Sequence, residues 1–348
     1  YSLDATSVNV NSLDFSNNIH IVGSYDVTPK SLTMTSSGTK VYDGSANMTN
    51  LTLTAVGKAS ASDVVTINGV GTYADKNVTA SANKSYTVTN LSLSGADAAN
   101  YVLTNGSTSA AISTQNGSNG QITPRTLNVS YTGVDRVYDG GTLATVTTAD
   151  DRVAGDALTI ARTAAFANKN VAYDLSSNVI SKAVSVSGVS LSGADAANYS
   201  VVATGSTSAK ITSRALTIDY TGVNKVYDGG TVASVTTATP VANGFVAGDV
   251  FDINWTASYA DKNVGGAKTI SVSGVSLSNP FGVSSVDATN YSVASTGTTT
   301  ANITPRTLNV YYTGVDRVYD GGTVATVNTT DDRVSGDVLS IARTASYA

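Results

Sequence analysis

Apolar and polar residues alternate along most of this chain, in short runs broken by turn-forming residues. Leu127, Val129 and Tyr131 occupy every second position, and Ile270 and Val272 are spaced the same way. A period of two is that of a β-strand with one face turned to a core. Three runs depart from it in the same manner. Val184 and Val186 are followed by Gly188, after which Val189 and Leu191 continue on the opposite parity. Ile270 and Val272 give way at Gly274 to Val275 and Leu277, and Tyr86 and Val88 give way at Asn90 to Leu91 and Leu93. Left alone, a parity change turns apolar side chains to solvent. Gly and Asn tolerate positive φ, so a β-bulge or tight turn is expected at each.

These strands recur in copies. Lys40-Val41-Tyr42-Asp43-Gly44 returns as Arg136-Val137-Tyr138-Asp139-Gly140, as Lys225-Val226-Tyr227-Asp228-Gly229 and as Arg317-Val318-Tyr319-Asp320-Gly321. The steps from Tyr to Tyr are 96, 89 and 92 residues. That is longer than a solenoid repeat and close to the roughly 100 residues of a β-sandwich domain. Each copy opens on Pro or Ser before a basic residue, at Pro29-Lys30, Pro124-Arg125, Ser213-Arg214 and Pro305-Arg306. Proline lacks an N–H and belongs at a strand's first residue or a junction. The chain therefore reads as residues 1–29, the C-terminal part of a preceding unit; three repeats at 30–124, 125–213 and 214–305; and residues 306–348, the N-terminal part of a further repeat. With about seven strands to a copy, the expected fold is all-β, with tandem immunoglobulin-like β-sandwich domains. Junctions without linkers imply an end-to-end rod.

Two further motifs keep their order. Tyr73-Ala74-Asp75-Lys76-Asn77-Val78 matches Phe166-Ala167-Asn168-Lys169-Asn170-Val171 and Tyr259-Ala260-Asp261-Lys262-Asn263-Val264, an aromatic anchor entering a polar loop. Asp97-Ala98-Ala99-Asn100-Tyr101 recurs as Asp195 to Tyr199 and, after an insertion containing Pro280 and Phe281, as Asp287 to Tyr291. The Asp is placed to cap one short helical turn. Tyr101, Tyr199 and Tyr291 then open the penultimate strand, the place of the tyrosine corner in immunoglobulin-type sandwiches.

Composition narrows the function. The chain has no Glu and Gln only at 115 and 121; Ser, Thr, Val, Asn, Gly and Tyr dominate, against helix. A net charge of −5 without a Lys/Arg cluster argues against nucleic acid, and no apolar run is long enough to span a membrane. Zero cysteines exclude disulfides and thiolate metal sites. With a single His and no Cys or Glu, hydrolytic dyads and metal triads lack their usual members, so no enzyme, catalytic residue or cofactor is expected.

The recurring Lys/Arg-Val-Tyr-Asp-Gly turn, the Ala-Asp-Lys-Asn-Val loop, the Asp-Ala-Ala-Asn-Tyr turn and the closing Ile-Thr-Pro-Arg resemble the YDG/MBG-type bacterial immunoglobulin-like repeats of large secreted, filamentous-haemagglutinin-like adhesins. The resemblance runs from Pro29 onward. It implies an extracellular stalk or spacer at a bacterial surface, without catalytic residues, whose partners are neighbouring repeats, copies of the same chain and a host or matrix ligand. An adhesive module binding carbohydrate or protein is the alternative. A filament built by strand donation between the two ends of successive chains is another.

Individual residues have plain readings beside sharper ones. In the Tyr-Asp-Gly turns, Asp-Gly supplies turn geometry and Tyr packs. Lys76, Lys169 and Lys262, with Asn100, Asn198 and Asn290, suggest Lys–Asn cross-links; a solvated Lys and a turn Asn explain the same letters, and no cross-link is expected. Asp150, Asp151 and Asp156, with Asp331, Asp332 and Asp337, have oxygen ligands suited to Ca²⁺. Copy three has Ala238-Thr239-Pro240 and Asp249 in their place, so solvated loop charges are expected instead. His20 stands alone, and Trp255 belongs to a core or half-buried strand.

Overall fold

The computed structural model describes residues 26–237, 244–284 and 286–348. The expectations for residues 1–25, including His20 and the closing strands of a preceding unit, lie outside them, as does Ala238-Thr239-Pro240. The described chain is almost entirely β. No α-helix occurs among these residues, only short 3₁₀ turns such as Ala98–Asn100, Ala196–Asn198 and Asp287–Asn290. No helix among them is long and apolar enough to cross a membrane.

Packing groups the chain into two compact units, and the division falls inside the second copy rather than at its borders. The first unit takes copy one, the chain to Ser130, Thr148–Arg162 and Ser187–Thr204. The second takes Tyr131–Thr147, Thr163–Val186 and the chain from Gly205.

In the first unit, copy one forms β1 (Lys30–Val41), β2 (Leu51–Val56), β3 (Thr66–Tyr73), β4 (Lys84–Ser94), β5 (Tyr101–Leu103) and β6 (Gln115–Thr123). They pair in the order β2-β1-β6-β4-β3, with β5 also on β1. The long β1 changes partner along its length. Lys30–Leu32 run parallel to β5, Thr33–Gly38 antiparallel to β2, and Thr39–Val41 parallel to β6. Copy one thus has six strands, against the seven or so expected. Leu32, Val88 and Ile122 are fully enclosed, and a side chain of this size contributes about 1.5–3 kcal/mol on burial.

The expected bulge is present. Asn90 has φ 54°, and the β3–β4 register passes from Asn68↔Ser92 to Val70↔Thr89, so two residues of β4 face one of β3. Val88 and Leu91 are thus both buried despite their opposite parity. Copy three, in the second unit, repeats the device at Gly274 (φ 64°), between Asn254↔Ser276 and Thr256↔Ser273. Ile270, Val272 and Val275 remain inside with Tyr259, Ala301 and Ile303, and the partly buried Trp255 packs against them. The stretch equivalent to β1 is here three short strands, Arg214–Leu216, Tyr220–Val223 and Lys225–Val226. Only Pro124 separates β6 from the strand Arg125–Thr126, and only Ser213 separates Ile211–Thr212 from Arg214–Leu216.

Candidate functional site

Three of the Tyr-Asp-Gly turns follow directly on a strand, and all four contain a left-handed residue. Gly44, Gly140, Gly229 and Gly321 have φ of 80°, 81°, 81° and 76°, a region open to Gly and strained for most side chains. Asp43 Oδ1 accepts from Ser45 N at 2.9 Å and from Lys40 Nζ at 2.7 Å. Burial alone pushes this carboxyl up, but those donors outweigh it and hold it below its ordinary value. The other turns keep the pair as Arg136–Asp139, Lys225–Asp228 (2.7 Å) and Arg317–Asp320 (2.8 Å). The same cation lies over the aromatic anchor of its copy. Lys40 is 5.9 Å from the Tyr73 ring centre, Arg136 5.3 Å from Phe166, Lys225 5.5 Å from Tyr259 and Arg317 5.1 Å from Tyr347. The basic residue of the motif therefore ties the turn to the loop that follows the anchor.

That loop is shaped by an acceptor two residues before its Asn. Asp75 Oδ1 takes Asn77 N at 2.7 Å and Lys84 Nζ at 2.7 Å. Asp261 does the same with Asn263 N (2.8 Å) and Lys268 Nζ (2.5 Å). In copy two, Asn168 Oδ1 takes Asn170 N at 3.0 Å and Lys182 Nζ at 2.5 Å. The position needs an oxygen lone pair more than a charge, so Asn substitutes for Asp there. The loop brings Lys76, Lys169 and Lys262 each to 5.8 Å from the ring centre of Tyr42, Tyr138 and Tyr227 respectively.

This Tyr–Lys pair of one copy meets a carboxylate of the next. Within the first unit, Tyr42 OH donates to Asp156 Oδ1 and Oδ2 at 3.0 and 2.8 Å, and Lys76 Nζ approaches Oδ1 at 2.8 Å. Tyr199 OH donates to Oδ2 at 2.6 Å while accepting from Val153 N at 2.8 Å. Lys76 also reaches Asp195 at 3.0 Å. Asn198 Oδ1 accepts from Val78 N at 2.9 Å, and its amide donates to Asn77 at 3.3 Å. The Tyr42 and Tyr199 rings meet edge to face at 5.4 Å. Val153 fills the space above Gly44, where an added Cβ would lie 2.6 Å from its Cγ1. Burial raises the Asp156 carboxyl, but Lys76, Tyr199 and Tyr42 overcome this and hold it below the usual carboxylate value. Asp156 in turn keeps the Lys76 ammonium well above its ordinary value, and burial with Asp156 pushes Tyr199 up to about 12. Three donors on one enclosed carboxylate are charge-assisted bonds, the strong kind.

The second unit contains the arrangement once in full and once in part. Tyr138 OH (2.8 Å), Lys169 Nζ (2.6 Å) and Tyr291 OH (2.7 Å) converge on Asp249, Lys169 reaches Asp287 at 3.2 Å, and Asn290 Oδ1 accepts from Val171 N at 2.8 Å. Tyr227 OH (2.6 Å) and Lys262 Nζ (2.7 Å) converge on Asp337. In copy one Tyr101 OH donates to Asp63, which stands where Asp156 and Asp249 stand.

Several residues take roles that the sequence did not assign. Tyr42, Tyr138 and Tyr227 pack, and their hydroxyls bond to another copy 110 or more residues away, whereas Tyr319, expected to pack as well, does not. Asp156 and Asp249 are buried acceptors, where solvated charges were expected; the signal was the single Asp kept in every copy while its neighbours changed. Lys76 and Asn198 also serve the junction: the ammonium of the partly exposed Lys76 faces two carboxylates, and Asn198, which closes its 3₁₀ turn as expected, accepts from Val78 N. Asp97 makes no cap bond to its own 3₁₀ turn; its Oδ2 accepts from Val64 N at 2.8 Å instead. Asp150 and Asp151 are taken by Arg152 and Asn128, and no metal-ligand cluster exists among the described residues. Tyr319 and Asp320 are exposed, as is Gly321.

A search among characterised proteins returns no match to this chain. The model of one family, the YDG domain, matches it three times, at residues 28–111, 123–209 and 212–300. Those matches cover well over half of the sequence and contain the Tyr-Asp-Gly turns at Tyr42, Tyr138 and Tyr227, so the chain belongs to the YDG domain family.

Proposed function

We propose that the chain is a non-catalytic stalk or spacer segment of an extracellular bacterial fibre or adhesin, built of immunoglobulin-like YDG sandwiches that lock end to end. The observation that carries this reading is the junction itself. Tyr, Lys and a backbone N–H of one copy close on Asp, Asn or Tyr of the next, in the same way at Asp156 and Asp249. A one-residue connection at Pro124 or Ser213 leaves little room for hinge motion, and a buried carboxylate with three donors resists bending about it. The polar groups of the cluster are consumed by one another, which suits holding and leaves none poised for proton transfer. Small-angle X-ray scattering of the purified chain tests the reading. A rod-like profile with about 40 Å per copy is expected from strands of six to eight residues plus loops; a compact globule overturns it.

A further inference from the structure

Among the described residues three tyrosine pairs stand in ring contact, and two of them cross from one copy to the next. Tyr42 meets Tyr199 edge to face at 5.4 Å, and Tyr138 meets Tyr291 at 5.5 Å. In both, the two hydroxyls end on one carboxylate oxygen. Tyr42 and Tyr199 reach Asp156 Oδ2 at 2.8 and 2.6 Å, and Tyr138 and Tyr291 reach Asp249 Oδ2 at 2.8 and 2.7 Å. Two phenols hung on one oxygen bring the ring carbons beside their hydroxyls to neighbouring edges. The third pair, Tyr73 and Tyr86 at 6.4 Å, lies within copy one and shares no acceptor, since its hydroxyls donate to Gly38 O and Ser36 O. The junction tyrosines are buried, but Lys76 and Lys169, over the rings of Tyr42 and Tyr138, are partly exposed. Each pair therefore lies one side chain below solvent.

We propose that Tyr42–Tyr199 and Tyr138–Tyr291 are sites of oxidative tyrosine–tyrosine cross-linking between successive copies, driven by a peroxide-fed one-electron oxidant. Each phenol gives one electron to the oxidant and its hydroxyl proton to the carboxylate that it bonds, which passes the proton to water. That carboxylate has no capacity left for an outside substrate, but it is already placed to take the proton of its own donor. A phenoxyl radical has no hydrogen to donate, so its ring is released from the carboxylate and can swing toward its neighbour. The two radicals join through ring carbons ortho to their oxygens. The hydrogens on those carbons then move to the oxygens and restore both phenols. In all, the pair loses two electrons and two protons, and one hydrogen peroxide takes them up as two waters. The product is a covalent staple across each of the two junctions, in a chain whose lack of cysteine rules out a disulfide there. The junction geometry carries this inference, independently of the stalk reading above.

The test is to treat the purified chain, dilute enough to remain monomeric, with hydrogen peroxide and a haem peroxidase. The intact monomer is expected to lose about 2 Da for each link. Dityrosine fluorescence should appear, and cross-linked peptides should join Tyr42 to Tyr199 and Tyr138 to Tyr291. Tyr42→Phe keeps the ring and removes one hydroxyl; it is expected to abolish the first link and leave the second. Asp249→Asn, with Trp255 fluorescence confirming that copy three stays folded, is expected to slow the second link at least about tenfold relative to the first. Absence of both junction links from the mapped peptides overturns the inference. So does an unchanged rate in Asp249→Asn, or linking of Tyr73 to Tyr86 as readily as the junction pairs, since either would leave the shared carboxylate without a role.

Discussion

The junctions at Asp249 and at Asp337 begin from the same parts and end differently. Both receive a Tyr hydroxyl and a Lys ammonium within 2.8 Å, from Tyr138 and Lys169 in one case and Tyr227 and Lys262 in the other. The Asp249 side chain is 1% exposed and the Asp337 side chain 18%. What encloses Asp249 is the later part of its own copy: the Tyr291 ring packed on Tyr138 at 5.5 Å, and Asn290 on the Val171 amide. Formation of the ion pair thus needs only the first half of the receiving repeat, and its enclosure needs the second. An exposed pair is worth little, because water competes for both charges. Removing an enclosed acceptor leaves its buried donors unsatisfied, which is where the large effects lie.

The largest effect that follows is at Asp249. Asp249→Ala removes the buried acceptor of the Tyr138 and Tyr291 hydroxyls, while Lys169 keeps Asp287, and is expected to destabilise the second unit by about 1–3 kcal/mol. The chain's single Trp, Trp255, lies in copy three and reports the loss as a fall in the denaturant midpoint of its fluorescence. Asp337→Ala, followed by the same signal, is expected to shift that midpoint clearly less. Equal shifts would break the comparison, since enclosure would then contribute nothing.

A smaller effect is expected from pH, and it sharpens the account of the enclosed carboxylate. The Asp156 carboxyl is held below its ordinary value, so its stabilisation is present above about pH 3.9 and is lost as pH falls through the lower folded value. Tyr199, raised to about 12, behaves oppositely: its contribution is complete below about pH 10 and is lost as pH rises through 12. Denaturation midpoints should therefore hold steady between these limits and fall on both sides. Asp156→Asn should lower the plateau and flatten the acid limb; an unchanged acid limb would remove Asp156 from its cause.

The smallest effect is expected at Asn168. Its oxygen already holds the loop, as Asp75 and Asp261 hold theirs, so Asn168→Asp should change stability by no more than about 0.5 kcal/mol. A larger gain would show that the position needs charge as well as a lone pair.

The sequence by itself determined the strands, the copies and the bulges. Alternation at Val184 and Val186, interrupted at Gly188, can be satisfied in only one way by an extended backbone, because parity and face are the same thing in a strand. The Tyr-Asp-Gly turns were legible for a similar reason, since a left-handed position selects Gly locally. The destination of the tyrosine hydroxyl was not legible. Tyr42 and Asp156 are 114 residues apart, and nothing in the neighbourhood of either names the other. Asn198 and Asn100 sit in the same five-residue motif, yet one is enclosed and the other exposed. Asn198 is enclosed by what the preceding copy places over it. Local letters fix conformation because φ, ψ and side-chain parity are properties of a few consecutive residues. Burial of a charge is decided by tertiary structure, because desolvation belongs to everything packed around it.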